Sequence, residues 1–340
     1  MSKPEIDLDQ APVAEKGAIG VPVIDIGDLR DGKRNASLPS VRAIADACCE
    51  WGFFQVINHG IADDIVDDMW AQTRSFFGWP QAEKEALMRT RENPWGYYNN
   101  ELTKNQRDKK EVFDFSVDGR DPVYEAENRW PRGRVDFRHA MRRYRDACAD
   151  LSLTLLEAMC SGLGLEPQFL NEHFSPSHTG FIRLNYYPVR DPLAGRSDVE
   201  HLETADLGVH HHTDAGALTV LLQDDVGGLQ VFNNDRWHDV EPEPGAFVIN
   251  TGDMMQVWSN DRYRAAIHRV LAMQEVDRYS IPFFYNPDAG TEVRPLPSVV
   301  TDESPALYRS VNWSDFRYKR TDGDYADYGT EVQISQYRQT

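Results

Sequence analysis

The first half of the chain combines two short apolar alternations with longer segments in which apolar positions recur every three to four residues. Residues 21–26 and 52–57 have the alternation of β-strands, and the second run ends at the turn Asn58-His59-Gly60. Residues 61–77 and 136–161 have the helical period, and Gly162 and Gly164 end the longer helix. The pattern predicts helices mixed with a few strands.

After residue 180 the pattern changes to short apolar runs that are separated by turn signals such as Gly227-Gly228 and Pro244-Gly245. The predicted strands are residues 181–187, 217–223, 229–233, 246–250, 254–258, 267–273 and 278–285. Strands at this spacing are typical of a sandwich, jelly roll or barrel. The whole chain is therefore predicted to be an α+β protein with a mainly β core.

Composition narrows the function. The 55 acidic and 36 basic residues give a net charge of −19, which disfavours nucleic acid and anionic membranes as partners. The first 20 residues have the composition of neither a signal peptide nor a transit peptide, and no apolar run is long enough for a membrane span. Four cysteines without a CxxC pair indicate reduced thiols and hence a cytoplasmic protein. We also expect the protein to be monomeric and to act on a small molecule.

Candidate metal chemistry lies in His212-Thr213-Asp214 and in His268. Successive strand residues alternate faces, so a strand would direct His212 and Asp214 the same way. Two imidazoles and one carboxylate can occupy one face of an octahedral metal and leave the opposite face open, as in non-haem Fe(II) oxygenases. Two alternatives remain from the local pattern: a triad of His210, His212 and Asp214, and histidines that bind no metal.

Two further strand segments carry polar residues at alternate positions. Arg278 and Ser280 share one face, where a guanidinium and a hydroxyl can together bind a carboxylate. Arg183, Asn185 and Tyr187 share a face of an earlier strand, and such a polar set is costly to bury without partners. The alternatives are a structural salt bridge for the first pair and a solvated outer face for the second set.

With these residues in hand, the chain resembles the isopenicillin N synthase-like branch of the Fe(II)- and 2-oxoglutarate-dependent dioxygenases, over roughly residues 20–320. The resemblance rests on motifs in one order: Trp51-Gly52-Phe53-Phe54, Asn58-His59-Gly60, Asn185-Tyr186-Tyr187-Pro188, His212-Thr213-Asp214, Gly228-Leu229-Gln230-Val231, Asn250-Thr251-Gly252-Asp253 and His268-Arg269-Val270.

The resemblance implies a double-stranded β-helix, or jelly roll, with an N-terminal helical and strand region packed against it. The expected segments are a flexible leader (1–20), the N-terminal region (21–175), the jelly-roll core (176–290) and a C-terminal covering segment (291–340). Iron would be held by His212, Asp214 and His268, with no catalytic side chain beyond these ligands.

The family's cosubstrate site also carries over onto this chain. Arg278 and Ser280 would bind the distal carboxylate of 2-oxoglutarate, assisted by Asn185 and Tyr187. Fe(II), 2-oxoglutarate and dioxygen are the implied cofactor and cosubstrates, and ascorbate is the implied reductant in assays.

The reaction implied by the resemblance couples decarboxylation of 2-oxoglutarate, to succinate and carbon dioxide, to hydroxylation, desaturation or cyclisation of a small molecule of secondary metabolism. Arg183, Phe284 and Tyr98 would face the substrate, with Arg183 binding an anionic oxygen and the two rings a flat or apolar body. Two alternatives are an Fe(II) oxidase of the isopenicillin N synthase type that uses no 2-oxoglutarate, and a non-catalytic metal-binding protein.

Overall fold

The structure is a computed structural model that describes residues 7–15, 20–103, 106–117, 120–174, 177–194, 207–322 and 332–339. Its α-helices are α1 (Pro39–Glu50), α2 (Asp63–Phe77), α3 (Gln81–Glu85), α4 (Val135–Gly162), α5 (Asp253–Trp258) and α6 (Trp313–Asp322). Short 3-10 turns cover Gly27–Leu29, Pro167–His173, Pro297–Val299 and Ile334–Tyr337.

The strands of the first half are β1 (Val23–Asp25), β2 (Phe53–Ile57), β3 (Gly96–Tyr98), β4 (Leu102–Thr103), β5 (Gln106–Arg107), β6 (Glu111–Ser116), β7 (Arg120–Asp121) and β8 (Ala126–Glu127). The second half contributes β9 (Phe181–Tyr187), β10 (Leu207–His212), β11 (Leu218–Gln223), β12 (Leu229–Asn233), β13 (Arg236–Asp239), β14 (Phe247–Thr251), β15 (His268–Leu271), β16 (Arg278–Tyr285), β17 (Glu292–Val293) and β18 (Val311–Asn312).

Two sheets build the core. The larger sheet has the order β1-β2-β14-β11-β16-β9-β6-β3, and the smaller one has the order β10-β15-β12-β13. Strand β1 runs parallel to β2, while the other pairings between described strands are antiparallel. The N-terminal strands therefore extend both edges of a sheet whose centre comes from the second half of the chain.

The long helix α4 covers one face of the larger sheet. Its buried side chains repeat at helical spacing and include Met141, Tyr144, Cys148, Leu151, Leu155 and Met159. The helix contacts β11 and β16, and the Tyr144 hydroxyl donates a hydrogen bond to the Ile281 carbonyl at 3.4 Å. Burial of each such apolar side chain contributes about 1.5–3 kcal/mol. With one face of the sheet occupied by helix, the opposite face is left to enclose the site.

That opposite face packs against the smaller sheet. The apolar residues between the sheets form a second core cluster, which includes Phe53, Leu221 and Val248 from the larger sheet and Val209, Leu229, Val231 and Val270 from the smaller one. Along β11 the side chains alternate between the two clusters, with Val220 on the helix side and Leu221 in the interior. The interior between the sheets is therefore apolar except where polar side chains enter it.

Three details differ from the sequence-based predictions. Residues 254–258 lie in helix α5 rather than in a strand. A mostly apolar segment of five residues that is buried on nearly every side has no periodicity by which helix and strand can be told apart. Among the strands of the two main sheets, β3, β10 and β13 were not predicted. The leader, expected to be flexible, is hydrogen-bonded in its described part: the Trp237 backbone N–H donates to Pro12 at 2.9 Å, and its indole N–H donates to Leu8 at 2.9 Å.

The four cysteines are free thiols, as the sequence predicts. Cys48, Cys148 and Cys160 are buried in helices, while Cys49 is exposed. Burial raises the pKa of the Cys48 thiol well above its ordinary value. The three buried thiols are therefore packing groups that stay protonated.

Candidate functional site

Three potential ligand side chains converge at one end of the smaller sheet. His212 ends β10 and lies directly opposite His268, the first residue of β15. The Nε2 atoms of both histidines lie 3.7 Å from Oδ1 of Asp214, and the three ligand atoms lie within 4.8 Å of one another. Asp214 itself lies beyond the strand, so the alternation argument for its orientation was wrong, and the loop after β10 is what directs it.

Backbone carbonyls orient both imidazoles. His212 Nδ1 lies 2.8 Å from the His210 carbonyl, and His268 Nδ1 lies 3.0 Å from the Ala266 carbonyl. A carbonyl oxygen can only accept, so each Nδ1 carries a proton, which in a neutral imidazole leaves the Nε2 lone pair free for a metal. This tautomer is the one that a metal site requires.

Asp214 is held by two side chains of the larger sheet. Its Oδ2 accepts hydrogen bonds from Thr219 Oγ1 at 2.5 Å and from Asn250 Nδ2 at 2.8 Å, which leaves Oδ1 directed at the histidines. Neither Thr219 nor Asn250 was predicted as a site residue. The sequence pointed to Asn250 only through the motif at residues 250–253, and it gave no comparable indication for Thr219.

The rest of that motif holds the loop that carries Asp214. The Asp253 N–H donates to the Asp214 carbonyl at 2.8 Å. A Cβ atom on Gly252 would lie 2.4 Å from the Gly216 carbonyl oxygen, so the close approach of the two backbones requires glycine. The motif thus places the aspartate through backbone as well as side-chain contacts.

The protonation states suit a metal cation. Burial, together with the neighbouring His268, lowers the pKa of His212 to about 3, so its imidazole is neutral at neutral pH. Burial alone would raise the pKa of Asp214, but the adjacent His268 and His212 and the hydrogen bonds from Asn250 and Thr219 hold it below its ordinary value. The neutral imidazole of His212, the imidazole of His268 and one carboxylate form a donor set for a divalent metal.

An inner cavity of about 540 Å³ lies between the sheets and reaches from these three residues to Arg278. Its apolar lining includes Phe53, Leu221, Leu229 and Val270, and its polar lining includes Asn185, Tyr187, Arg278 and Ser280. Arg278 pairs with Tyr187 and Ser280 with Asn185 across β16 and β9, so the four predicted cosubstrate residues form one patch.

Arg278 is a buried cation with unused donors. Only 1% of the residue is exposed, its Nη2 donates to Gln223 at 3.3 Å, and its Nε and Nη1 have no hydrogen-bond partner among the described residues. The Ser280 hydroxyl accepts a hydrogen bond from Asn185 Nδ2 at 3.2 Å. A guanidinium with two unpaired nitrogen donors in a buried wall is costly unless an anion occupies the cavity. The site fits a carboxylate ligand.

An outer chamber of about 790 Å³ adjoins the inner cavity and shares with it Lys110, Arg183, Val209, His212, Asp214 and Phe284. Helix α6 supplies another part of its wall through Trp313, Arg317, Arg320 and Thr321. Phe181 and Phe284 stack in this wall with ring centroids 4.5 Å apart. The C-terminal region therefore contributes directly to the chamber beside the metal ligands.

Arg183 lines both spaces, but its charge is already paired. It makes two hydrogen bonds to Asp114, both at 2.8 Å, and two to Glu101, at 2.8 and 2.9 Å. Lys110, which was not predicted, lies 2.6 Å from Glu101, and Arg89 binds both carboxylates at 2.6 Å. Arg183 therefore does not offer a free charge to an anionic substrate, because carboxylates from distant parts of the chain already pair with it.

Two other candidate residues lie outside the site. Tyr98 does not line either space, and its ring is covered by the Arg89 guanidinium, with 4.6 Å between Cζ and the ring centroid. His210 Nδ1 contacts Asp108 Oδ1 at 2.8 Å. His210 therefore takes no part in the described metal cluster, and the alternative triad of His210, His212 and Asp214 does not form.

A two-sheet β core with two histidines and a carboxylate at one end, and a buried arginine across the cavity, defines a non-haem iron oxygenase. Residues 178–287 match the 2OG-Fe(II) oxygenase superfamily, and residues 21–133 match the family described as non-haem dioxygenase in morphine synthesis N-terminal.

Full-length relatives agree with this class. Protein DMR6-LIKE OXYGENASE 2 of Arabidopsis thaliana is 31% identical over 92% of this chain and 87% of its own. Flavonol synthase 1 of Crocosmia x crocosmiiflora is 33% identical over 88% of this chain and 85% of its own. The crystal structure of JOX2 in complex with 2OG, Fe, and JA superposes with a TM-score of 0.79 at 29% identity, covering 98% of this chain and 93% of JOX2.

The chain belongs to the 2OG-Fe(II) oxygenase superfamily. It is an enzyme of the 2-oxoglutarate-dependent dioxygenase class, with iron as cofactor and 2-oxoglutarate and dioxygen as cosubstrates. The predictions of an α+β fold with a jelly-roll core and of this enzyme class are thereby confirmed. Among the described helices, none is both long enough and apolar enough to cross a lipid bilayer.

Proposed function

We propose that His212, Asp214 and His268 hold the iron and that the opposite face of the metal is the reaction site. The observation that carries this assignment is the convergence of the two Nε2 atoms on Asp214 Oδ1, with every Nδ1 and Oδ2 atom of the set already engaged elsewhere. The free lone pairs of the three side chains thus point at one position. His211 and His59 have other contacts and remain outside this set.

We propose further that 2-oxoglutarate lies in the inner cavity, with its distal carboxylate on Arg278 and Ser280. The Nε and Nη1 donors of Arg278 have no hydrogen-bond partner among the described residues, so they are available to a carboxylate. Asn185 holds the Ser280 hydroxyl, and the Tyr187 ring lies beside the guanidinium with 5.0 Å between Cζ and the ring centroid. This placement explains why a full positive charge is buried at the far end of the cavity.

The reaction we propose consumes one substrate C–H bond, 2-oxoglutarate and dioxygen, and yields an alcohol, succinate and carbon dioxide. Desaturation or cyclisation would be variants of the same oxidation. Bound iron supplies the redox chemistry. The protein's part is to orient the reactants and to exclude water, for which Phe53, Leu229 and Val270 provide an apolar wall around the metal ligands.

The substrate is proposed to be a small molecule of secondary metabolism that occupies the outer chamber. The stacked rings of Phe181 and Phe284, with Trp313 on the adjoining wall, favour a flat or apolar body. The free thiols are compatible with a reducing compartment, and we propose a monomeric protein of the cytoplasm.

Succinate formation tests this proposal. Purified protein is incubated with Fe(II), ascorbate, 2-oxoglutarate and dioxygen, with and without candidate substrates, and succinate and dissolved oxygen are followed together. We expect succinate in an oxygen-dependent manner, and we expect His268→Gln to abolish it. His139→Gln, which alters an exposed histidine on α4, is the matched control and should retain the activity.

Two outcomes would contradict the proposal. Substrate oxidation without succinate would indicate an oxidase that does not use 2-oxoglutarate. Iron binding without oxygen consumption under any condition would indicate a non-catalytic binding protein.

A further inference from the structure

We propose that Arg320 on α6 is the anchor for an anionic group of the substrate, so that the enzyme selects small organic carboxylates over their neutral analogues. The inference rests on the proposed function, because Arg320 lines the outer chamber assigned to the substrate. It gives the anionic anchor to a different residue from the Arg183 that the sequence suggested.

Charge pairing separates Arg320 from the other cations of the outer chamber. Four basic side chains line it: Lys110, Arg183, Arg317 and Arg320. Lys110 and Arg183 belong to a cluster in which three cations (Arg89, Lys110, Arg183) face three carboxylates (Glu101, Asp108, Asp114). That cluster is neutral as a whole, so it offers no net attraction to an anion.

Arg317 is neutralised in the same way. Its Nη1 lies 3.0 Å from Asp121 Oδ2 and donates to the Thr179 carbonyl at 2.9 Å. The contacts of Arg320 with described residues, by contrast, are to backbone carbonyls: Nη2 donates to Thr213 at 2.8 Å and Nη1 donates to Val332 at 3.0 Å. Within the segments that the structure describes, no carboxylate pairs with it. No described side chain therefore neutralises its charge, which is available to a ligand on this side of the chamber.

The position of Arg320 relates that charge to the reaction site. Thr213, whose carbonyl it binds, stands between the two ligand residues His212 and Asp214. The two carbonyl contacts use two of the five guanidinium N–H groups and restrict the orientation of the side chain. The remaining donors can make charge-assisted hydrogen bonds to a carboxylate in the chamber.

The chamber thus combines a cationic wall with an aromatic one. Phe181 and Phe284 form a stacked pair in the same chamber, and Trp313 lies about two helical turns before Arg320 on α6. Such a space matches a molecule with a flat ring system at one end and a carboxylate at the other. The carboxylate would be held by α6 while the remainder lies beside the metal ligands.

The test compares matched pairs of probes. Dissociation constants are measured by calorimetry for benzoate, phenylacetate and cinnamate and for their three primary amides. The full chain is loaded with Mn(II) and 2-oxoglutarate under nitrogen, so that binding is read without turnover. We expect at least one acid to bind roughly 10- to 100-fold more tightly than its amide, which is the range for a hydrogen bond to a charged group.

Three variants test the role of Arg320. Arg320→Gln should bring the acid-to-amide ratio close to one, and Arg320→Lys, which keeps the charge, should retain part of the preference. Lys319→Gln removes the adjacent cation, which is exposed and paired with Asp315, and should leave the ratio unchanged. A wild-type protein that binds each amide as tightly as its acid, or that binds none of the six probes, would overturn the proposal. So would an Arg320→Gln variant that keeps the preference.

The same preparations keep this inference separate from the proposed function. Succinate formation by the wild-type protein depends on the iron and 2-oxoglutarate sites, so its absence would contradict the proposed function. The acid-to-amide ratio is measured without turnover and bears on Arg320 alone.

Discussion

The hydroxyl of Thr219 provides a sharp test of how the metal site is built. Thr219→Val keeps the shape of the side chain and removes the donor that lies 2.5 Å from Asp214 Oδ2, while the Asn250 bond at 2.8 Å remains. A hydrogen bond to a charged group contributes about 1.5–3 kcal/mol. If most of this free energy serves to orient the carboxylate toward the metal, the affinity for the metal should fall roughly 10- to 100-fold. That is the range for losing a group that hydrogen-bonds to a metal ligand.

The assay is anaerobic titration of the metal-free protein with Fe(II) or Mn(II) in competition with a chelator. Thr73→Val is the matched control, because Thr73 is fully buried in α2 and its hydroxyl has no hydrogen-bond partner among the described residues. Its metal affinity should equal that of the wild type. Affinity within twofold of wild type in Thr219→Val would refute the reasoning that these hydrogen bonds position Asp214.

Three further predictions concern the cavity, the buried charges and a partly buried histidine. Arg278→Gln should weaken 2-oxoglutarate binding roughly 100-fold by removing a two-pronged ion pair, as measured by cosubstrate titration of succinate formation. Arg183→Leu should lower the free energy of unfolding by about 3 kcal/mol, because Asp114 and Glu101 each lose a partner while buried; chemical denaturation measures this loss. Burial, with a smaller effect of a nearby arginine, lowers the pKa of His178 from 6.5 to about 4. As the pH falls, the unfolded chain therefore binds a proton at His178 before the folded protein does, and stability is lost between about pH 6.5 and pH 4. The loss in the free energy of unfolding is about 2 kcal/mol at pH 5, and this loss should be absent in His178→Gln.

Each of these predictions has a clear contrary result. Unchanged cosubstrate affinity in Arg278→Gln would place the distal carboxylate elsewhere. A stable Arg183→Leu protein with weakened binding of acids would restore Arg183 as the substrate anchor. Parallel stability curves for wild type and His178→Gln between pH 7 and pH 5 would mean that the folded protein accommodates the charged imidazole.

Secondary structure was predictable where the apolar period was clear. The helix predicted over residues 136–161 corresponds to α4, and the strands predicted over 181–187 and 278–285 correspond to β9 and β16. The run 254–258 gave no such period because nearly all of its residues are buried, and it folds as α5. Short buried runs are the ones for which tertiary packing, rather than pattern, decides the backbone.

The residue types of the site were also readable from the sequence. Two histidines, an aspartate and an arginine-serine pair, in a fixed order along the chain, indicate iron and a carboxylate cosubstrate. The order of these motifs along the chain indicates the site because a β core of this kind brings the strands that carry them together. The sequence therefore determined the enzyme class and the candidate ligands.

Which charges are free was decided only by the tertiary structure. Nothing in the sequence distinguishes the charge of Arg183 from that of Arg320. In the structure, Arg183 is paired with two carboxylates more than 60 residues away, whereas the described contacts of Arg320 are to backbone carbonyls. The support of Asp214 by Thr219 and Asn250 likewise depends on the register of strands in the opposite sheet. Coulomb and hydrogen-bond energies depend on distances within a few ångströms, and the folded arrangement of distant segments sets those distances.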